Sequence, residues 1–556
     1  MGRKSDDDVA YATDGIGRIE SEPKGAVLDR TASNQMGEMN LESGHQLERG
    51  LKSRHIQFLA LGGAIGTGLF VGSGQILATT GPAPLLMAYL SMMLVVWVIM
   101  NNLAEMVTYL PMKGISIPYF VGRFVEPSLA FAAGWNYWYA YAMLLAAECT
   151  AGAIILQYWT TAVPVAVWIA IQLIVILLLN IIAVSFFGEA EFWFASIKLL
   201  TITGLIILGI VLFFGGGPDH DHLYFRYWQD PGAFKPYLVE GNTGRFLAYW
   251  TAFARAGFSF VTSPELIALS AGETVAPRRN IPKAARRFVW RLAIFYGLGS
   301  LVIGVIVPSN EKMLMAGDSN ASASPFVLGI ARAGIKGLNH VINAAVLTSA
   351  WSAGNAFCYS GSRVLYSMAL NGQAPRWFGL TTRRGVPYVA VLFTLVVACL
   401  GFLNVSNSGA QVFQWFTNIS TISGFIAWIV VMITYIRFRK AMEHHGLLNV
   451  LPYRTPLQPY ATYAALFIII ILTLTNGFQV FFPSQWSVSN FLAAYITIPI
   501  FLVLYLGHKL VYRTPVATKT EDVDVWTGKK EMDDLSAADE ERIPRNWYEK
   551  VWYWLA

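Results

Sequence analysis

Five charged side chains set deep in apolar stretches are the residues best placed to do chemistry: Glu105, Glu148, Lys198, Arg255 and Glu265. In a hydrocarbon surround such charges are costly. They pair with one another or face a wet interior, and they mark proton or substrate paths. Three acids and two bases could nearly neutralise each other, so a structural ion pair is the competing reading for each. Lys198, within Phe192-Trp193-Phe194-Ala195-Ser196-Ile197-Lys198-Leu199, has two readings of its own. A buried amine can lose its proton near neutral pH and so join a proton-coupled cycle. Alternatively it stays charged and fills a site that a metal cation would otherwise take.

Two interrupted segments point to where such charges would act. The first apolar segment reads Leu61-Gly62-Gly63-Ala64-Ile65-Gly66-Thr67-Gly68, with four glycines in seven residues. Glycine in mid-helix is destabilising. Unwound backbone there would expose N–H groups, and the half-helix that follows would aim its positive end at an anion such as a carboxylate. Close packing through small residues is the other explanation. The sixth segment reads Arg255-Ala256-Gly257-Phe258-Ser259-Phe260-Val261-Thr262-Ser263-Pro264-Glu265. Gly257 and Pro264 bracket a break, since proline removes a ladder bond and clashes with the preceding turn. Breaks in corresponding positions of two halves are the sequence mark of a transport site.

The elements that must position these residues are twelve apolar segments, each long enough to span a bilayer. They run 55–80, 83–110, 128–158, 163–186, 191–214, 245–271, 288–308, 338–368, 387–404, 411–437, 459–482 and 489–512. Polar tails flank them, over roughly residues 1–50 and 513–556. An even count puts both tails on one side. With the tails inside, the inner loops hold Lys113, Arg123, Arg278, Arg279, Lys283, Arg286, Arg287, Arg437, Arg439 and Lys440, among others. The short outer loops near residues 81, 160, 407 and 486 hold no Lys or Arg. This asymmetry predicts cytoplasmic termini.

Composition excludes several classes. Hydrophobic residues are 55% of the 556 and charged residues only 13%, about half the share of a soluble domain. That argues against a cytosolic enzyme, a disordered chain or a disulfide scaffold. The three cysteines, Cys149, Cys358 and Cys399, suggest neither a disulfide framework nor a zinc site. No metal-ligand spacing, catalytic constellation or cofactor motif stands out, and no dense basic run suggests nucleic acid. We therefore expect no metal, no cofactor and no enzymatic activity. Asn320-Ala321-Ser322, in an outer loop, is a glycosylation-type triplet of the kind common by chance.

The chain resembles the fungal amino acid permeases, the yeast amino acid transporter family of the amino acid–polyamine–organocation superfamily. The likeness covers nearly all of residues 50–555. It rests on Gly63-Ala64-Ile65-Gly66-Thr67-Gly68, on Gly188-Glu189-Ala190-Glu191-Phe192-Trp193 leading to Lys198, and on Pro277-Arg278-Arg279-Asn280-Ile281-Pro282-Lys283-Ala284. Ser352-Ala353-Gly354-Asn355, Gly507-His508-Lys509 and Asp524-Val525-Trp526-Thr527-Gly528 extend it. Ser263-Pro264-Glu265 and Asn418-Ile419-Ser420-Thr421-Ile422-Ser423-Gly424-Phe425 resemble the proline-permease branch in particular.

That resemblance implies an all-α integral membrane protein of leucine-transporter type, with twelve transmembrane helices, a 5+5 inverted repeat and broken helices 1 and 6. The N-terminal tail would be residues 1–50 and the permease domain 51–512. Within that domain the first repeat would span 51–215, the second 243–440, and the extra helices 459–512. The C-terminal tail would follow from 513 to 556. The substrate carboxylate would meet the backbone of Ala64, Ile65, Gly66, Thr67 and Gly68. The amino group would meet the broken sixth segment at Phe258, Ser259, Phe260 and Val261, with Phe258 or Phe260 as an aromatic gate. Arg255 and Ser420 would help bind substrate, and Ala140 would bear on side-chain selection. Lys198 would stand in a sodium position, and Glu265, Glu105 and Glu148 join it as proton-coupling candidates.

The implied activity is proton symport of small neutral amino acids, proline-like and extending to alanine, glycine or γ-aminobutyrate, into the cell across the plasma membrane. The proline branch carries lysine where this chain has Arg255, which keeps the charge but adds bulk. A broad-range permease, an exchanger and a non-transporting amino acid sensor are the alternatives, and a vacuolar membrane is the alternative address. The implied partners are the amino acid, protons, membrane lipid, and trafficking and ubiquitination machinery at the tails.

Overall fold

The chain divides into Met1–Glu48 and Arg49–Ala556. A computed structural model describes residues 66–110, 117–182, 184–265, 277–315, 324–382, 385–530, 533, 546 and 547, all in the second unit. Ala64, Ile65, the N-terminal tail and Asn320-Ala321-Ser322 lie outside the described residues. The described residues form helices and no strand.

A π-helical turn, Gly68–Gly72, leads into α1 (Ser73–Thr80), and Gly81 turns the chain with φ +92°. There follow α2 (Pro82–Tyr109), α3 (Ile117–Phe124), α4 (Pro127–Leu156), α5 (Val165–Ile182) and α6 (Val184–Phe213). Next come α7 (Gly241–Ala256), α8 (Pro277–Leu292), α9 (Gly299–Ile306), α10 (Pro325–Arg332) and α11 (Leu338–Leu370). The last are α12 (Tyr388–Ala398), α13 (Gly409–His444), α14 (Tyr460–Thr475), α15 (Val488–Tyr495) and α16 (Thr497–Tyr512).

Among the described residues, seven helical stretches are long and apolar enough to cross a membrane, or eight if the bent pair α15 and α16 is one span. The expected segments outside that count are four. Among the described residues the helices at the first and sixth, α1 and α7, are short, while α5 at the fourth is apolar and falls only just below that length. The eighth, α11, carries buried Asn343, Ser349, Ser352, Asn355, Ser360 and Ser362.

Several elements depart from the expected segments, three of them for a plain local reason. The loop between the second and third segments contains helix α3, which buries Ile117, Phe120, Val121 and Phe124 on one face. The seventh helix begins at Pro277 and not near 288, because Ile281, Ala285, Phe288 and Leu292 form a buried stripe beneath its basic residues. The twelfth segment bends by 45° between α15 and α16. There Pro499 lacks the N–H that would bond back to Tyr495.

Helix α4 sits at the centre: 89% of its apolar window is buried, against 33% for Trp193–Phe213 and for Tyr460–Phe481. Its alanines and glycines allow this. A Cβ on Gly134 would lie 2.9 Å from Met368 Sδ, and one on Gly152 2.2 Å from Gln172 Oε1. Where lipid is as apolar as leucine, such close packing and buried hydrogen bonds hold helices together. Asn136 Nδ2 donates to Ser423 O at 2.9 Å, and Ser423 Oγ donates to Asn136 Oδ1 at 2.9 Å. Asn180 Nδ2 donates to Asn355 Oδ1 at 2.8 Å. Bonds of this kind contribute about 0.6–2 kcal/mol each.

At one end of the bundle, residues following α16 form a strap. Thr518 N donates to Val125 O at 2.9 Å, Tyr109 Oη to Val525 O at 2.9 Å, and Arg123 Nε to Asp524 O at 2.6 Å. Val525 is fully buried. Arg278, which donates to the carbonyls of Thr108 and Tyr109 that close α2, also pairs with Asp533 at 2.6 Å. The hydrogen bond from Lys529 and the charge of Arg278 hold the Asp533 carboxyl below its ordinary range. A carboxyl depressed in the folded state stabilises above its unfolded pKa, about 3.9, and that contribution is lost as pH falls through its lower folded value. The contact is therefore complete at neutral pH. Asp533→Asn should loosen the strap by no more than about 1 kcal/mol, the range of exposed ion pairs. Faster tail cleavage in limited proteolysis at neutral pH, with α16 still protected, is the expected reading.

Candidate functional site

The sixth segment breaks as the sequence predicts. Helix α7 ends at Ala256, a 3-10 turn covers Gly257–Ser259, and helical backbone resumes over 263–265. Between them Thr262 takes φ +68°. A β-branched residue there is a strained outlier, costing about 1–3 kcal/mol, and such strain clusters at functional sites. Pro264 lies where the second half begins, a position in which its missing N–H costs nothing.

The first segment meets this break face to face. A Cβ on Gly68 would lie 2.6 Å from Ser259 Oγ and 2.7 Å from Ser259 Cα. Only glycine allows that approach. Tyr89 of α2 fastens the pair: its hydroxyl lies 2.9 Å from Ser259 Oγ and 3.3 Å from Gly68 O. Tyr296 donates to Ser259 O at 2.8 Å. Helix α13 closes in from another side, where Cβ atoms on Gly257 and Gly424 would lie 2.5 Å from Phe425 and Val261.

A small, partly open cleft lies against this junction. Its wall includes Gly68, Arg255, Phe258, Ser259, Thr417 and Thr421. Phe258 stands at its edge, 5.9 Å from Phe413 in a T-shaped contact. Phe260 does not face it: it is fully buried and stacks on Tyr296 at 4.4 Å. Of the two expected gate residues, only Phe258 lines the cleft. Arg255 donates to Thr79 Oγ1 at 3.2 Å and to Gln479 Oε1 at 3.4 Å.

Thr67, next to Gly68, turns the other way. Its hydroxyl donates to Glu148 Oε1 at 2.9 Å, and a Cβ on Gly66 would lie 3.6 Å from the same oxygen. Glu148 Oε2 has no hydrogen-bond partner although buried. Lys198 on α6, 1% exposed, interacts electrostatically with Glu191 and Glu148. Ser352 Oγ of α11 lies 2.9 Å from both oxygens of Glu191. Successive residues of one strand of backbone therefore touch the cleft and the buried charges. The described residues include no group of three or more His, Cys, Asp or Glu placed to hold a metal ion.

The other candidates fall apart from this pair of features or beside it. Glu265 is buried past the break with Oε2 unpartnered, in the field of Tyr137 and Tyr141 of α4, whose hydroxyls are also unpartnered. Glu105 is elsewhere. Its Oε1 accepts from Thr455 N at 2.6 Å and Thr455 Oγ1 at 2.5 Å, and its Oε2 from Tyr435 at 2.7 Å, with Arg439 3.5 Å away. The structure makes it the centre of a satisfied knot and does not bring it to the cleft. Ser420 is buried with a free hydroxyl, but Thr417, Asn418 and Thr421 line the cleft in its place. Ala140 is buried in α4. Sequence reasoning missed Glu191, an acid in a quoted motif at the start of the fifth segment, and the α13 hydroxyls of Thr417 and Thr421 on either side of Ser420.

The amino acid permease family profile matches residues 55–521. The chain is 60% identical to the proline-specific permease of Emericella nidulans over 537 residues, 95% of this chain and 98% of that one. It is 54% identical to a probable proline-specific permease of Schizosaccharomyces pombe over 89% of this chain and 90% of that one. With the lysine-specific permease of Saccharomyces cerevisiae it shares 38% identity, over 98% of this chain and 88% of that one.

Proposed function

Since this chain belongs to the amino acid permease family, a family of transporters and not of enzymes, we propose that it imports proline by proton symport. As a multi-pass membrane protein that moves amino acids, it would follow a leucine-transporter-type cycle of alternating access, with twelve spans and two inverted five-helix repeats. The tail and domain bounds are those expected from the sequence, both tails are cytoplasmic, and the plasma membrane is its place. Small neutral amino acids such as alanine, glycine and γ-aminobutyrate are the secondary substrates.

One observation carries this reading. Gly68 faces the cleft at the broken sixth segment while Thr67 holds Glu148 beside Lys198. Substrate at the first residue and proton at the second would bias the same short piece of backbone. The substrate carboxylate is assigned to the backbone of Ala64 to Gly68, and the amino group to the break at Phe258–Val261. Arg255 and the hydroxyls around Ser420 border the side chain. Lys198, Glu148 and Glu265 are the coupling groups. Glu105, with its lone pairs already engaged, holds the fold.

The test is uptake of labelled proline and a panel of amino acids in permease-deficient fungal cells at two external pH values, with and without a protonophore. Saturable proline uptake that rises at the lower pH and collapses with the protonophore is expected. Uptake indifferent to the proton gradient would overturn the symport.

A further inference from the structure

Lys198 has a second acidic partner besides the one tied to the first segment. Glu191 and Lys198 are seven residues apart on α6, two turns along one face. Helical side chains lean toward the helix N-terminus, so the lysine stem runs back toward Glu191. Lys198 interacts electrostatically with both Glu191 and Glu148. Both side chains are buried, and Ser352 places one hydroxyl against both carboxylate oxygens at 2.9 Å.

The charge count then decides where a proton sits. Glu191, Lys198 and Glu148 are two acids and one base in a buried place. A net negative cluster there is strongly disfavoured, whereas one proton on a carboxylate makes it neutral. Glu191 shares the single Ser352 proton between its two oxygens, so neither is left bare, and it interacts with the lysine. Glu148 has one oxygen occupied by Thr67 and one with no partner. Resting on the proton-symport reading, we propose that Glu191 is a positioning residue: as the fixed counter-ion of Lys198 it keeps the lysine charged and leaves the transported proton to Glu148.

The elements packed on α6 bring few other ionisable groups to it among the described residues. Among the described residues, α5 and α9 bring no ionisable side chain to α6. Helix α11 meets Glu191 through Ser352, with His340, Cys358, Tyr359, Arg363 and Tyr366 on other turns. The π-helical stretch Ala293–Leu298 brings Tyr296, which donates to Ser259.

Removing the Glu191 charge leaves Lys198 to pair with Glu148, and the cluster is then neutral with no added proton. Proline uptake should be measured against external pH for the wild type, Glu191→Gln, Glu191→Asp, Ser352→Ala and Lys198→Met, together with proline exchange in cells preloaded with proline. Glu191→Gln should lower the pH of half-maximal uptake by at least about one unit, a tenfold weaker proton affinity, and keep exchange. Glu191→Asp should restore the wild-type profile, and Ser352→Ala should shift it the same way by less. A Glu191→Gln profile equal to wild type overturns the proposal. If that variant does not reach the membrane, an unshifted Ser352→Ala profile overturns it. A wild type indifferent to pH, or a Lys198→Met variant with the wild-type profile, instead sinks the symport reading on which the proposal rests.

Discussion

Gly68→Val is expected to reduce proline uptake about ten- to hundredfold while the chain still reaches the membrane. The added Cβ alone would sit 2.6 Å from Ser259 Oγ and 2.7 Å from Ser259 Cα. Backbone cannot swing aside as the tip of a long side chain can. The two broken segments must separate, and overpacking of this kind costs about 1–3 kcal/mol, with 1.4 kcal/mol equal to a factor of ten. The separation would also pull Tyr89 off both of its partners. Gly204→Ala is the control, because a Cβ there meets nothing within 4 Å. Uptake kinetics normalised to surface protein decide the matter. Unchanged affinity in Gly68→Val would mean that substrate does not bind where the first and sixth segments meet.

Lys198→Met should be more damaging. Methionine keeps much of the apolar length but leaves Glu191 and Glu148 without the cation that both interact with. Stripping one partner from a buried ion cluster costs about 3–5 kcal/mol, so net uptake should fall more than about a hundredfold. Lys198→Arg should not restore it, because a planar fork cannot occupy the place of a compact ammonium. Uptake driven by an imposed proton gradient is the measurement, and normal uptake by the methionine variant would remove the lysine from the cycle.

Much of the arrangement was readable before any coordinates. The break at Gly257 to Pro264 announced itself because no spanning helix tolerates that run without a reason. Buried charge was equally visible against so apolar a background. What the sequence concealed was partnership. Glu105 and Glu148 look alike as acids in apolar helices. Only folding shows that Thr455, Tyr435 and Arg439 satisfy one while an oxygen of the other stays unmatched. Glu191 was hidden by its position at a segment boundary, where an acid is unremarked. The α13 hydroxyls were hidden by helical rotation: Ser420 and Thr421 are adjacent in sequence, and packing decides which one looks into the cleft. Helix α3 escaped because eight residues are too few for a span, and the early start of α8 because its basic residues mask the buried stripe beneath them.

The strap has a practical side for work with this chain. It runs from Thr518 to Asp533 and stitches together the ends of α2, α3 and α8. A fluorescent reporter appended after Ala556 leaves those stitches in place. A deletion made to tidy a polar tail, if it begins at Arg513, removes all of them and takes away the Val525 carbonyl that accepts from the buried Tyr109 hydroxyl. Such a shortened chain would report on an altered machine, and its behaviour in localisation or crystallisation trials should not be read as that of the chain with its strap.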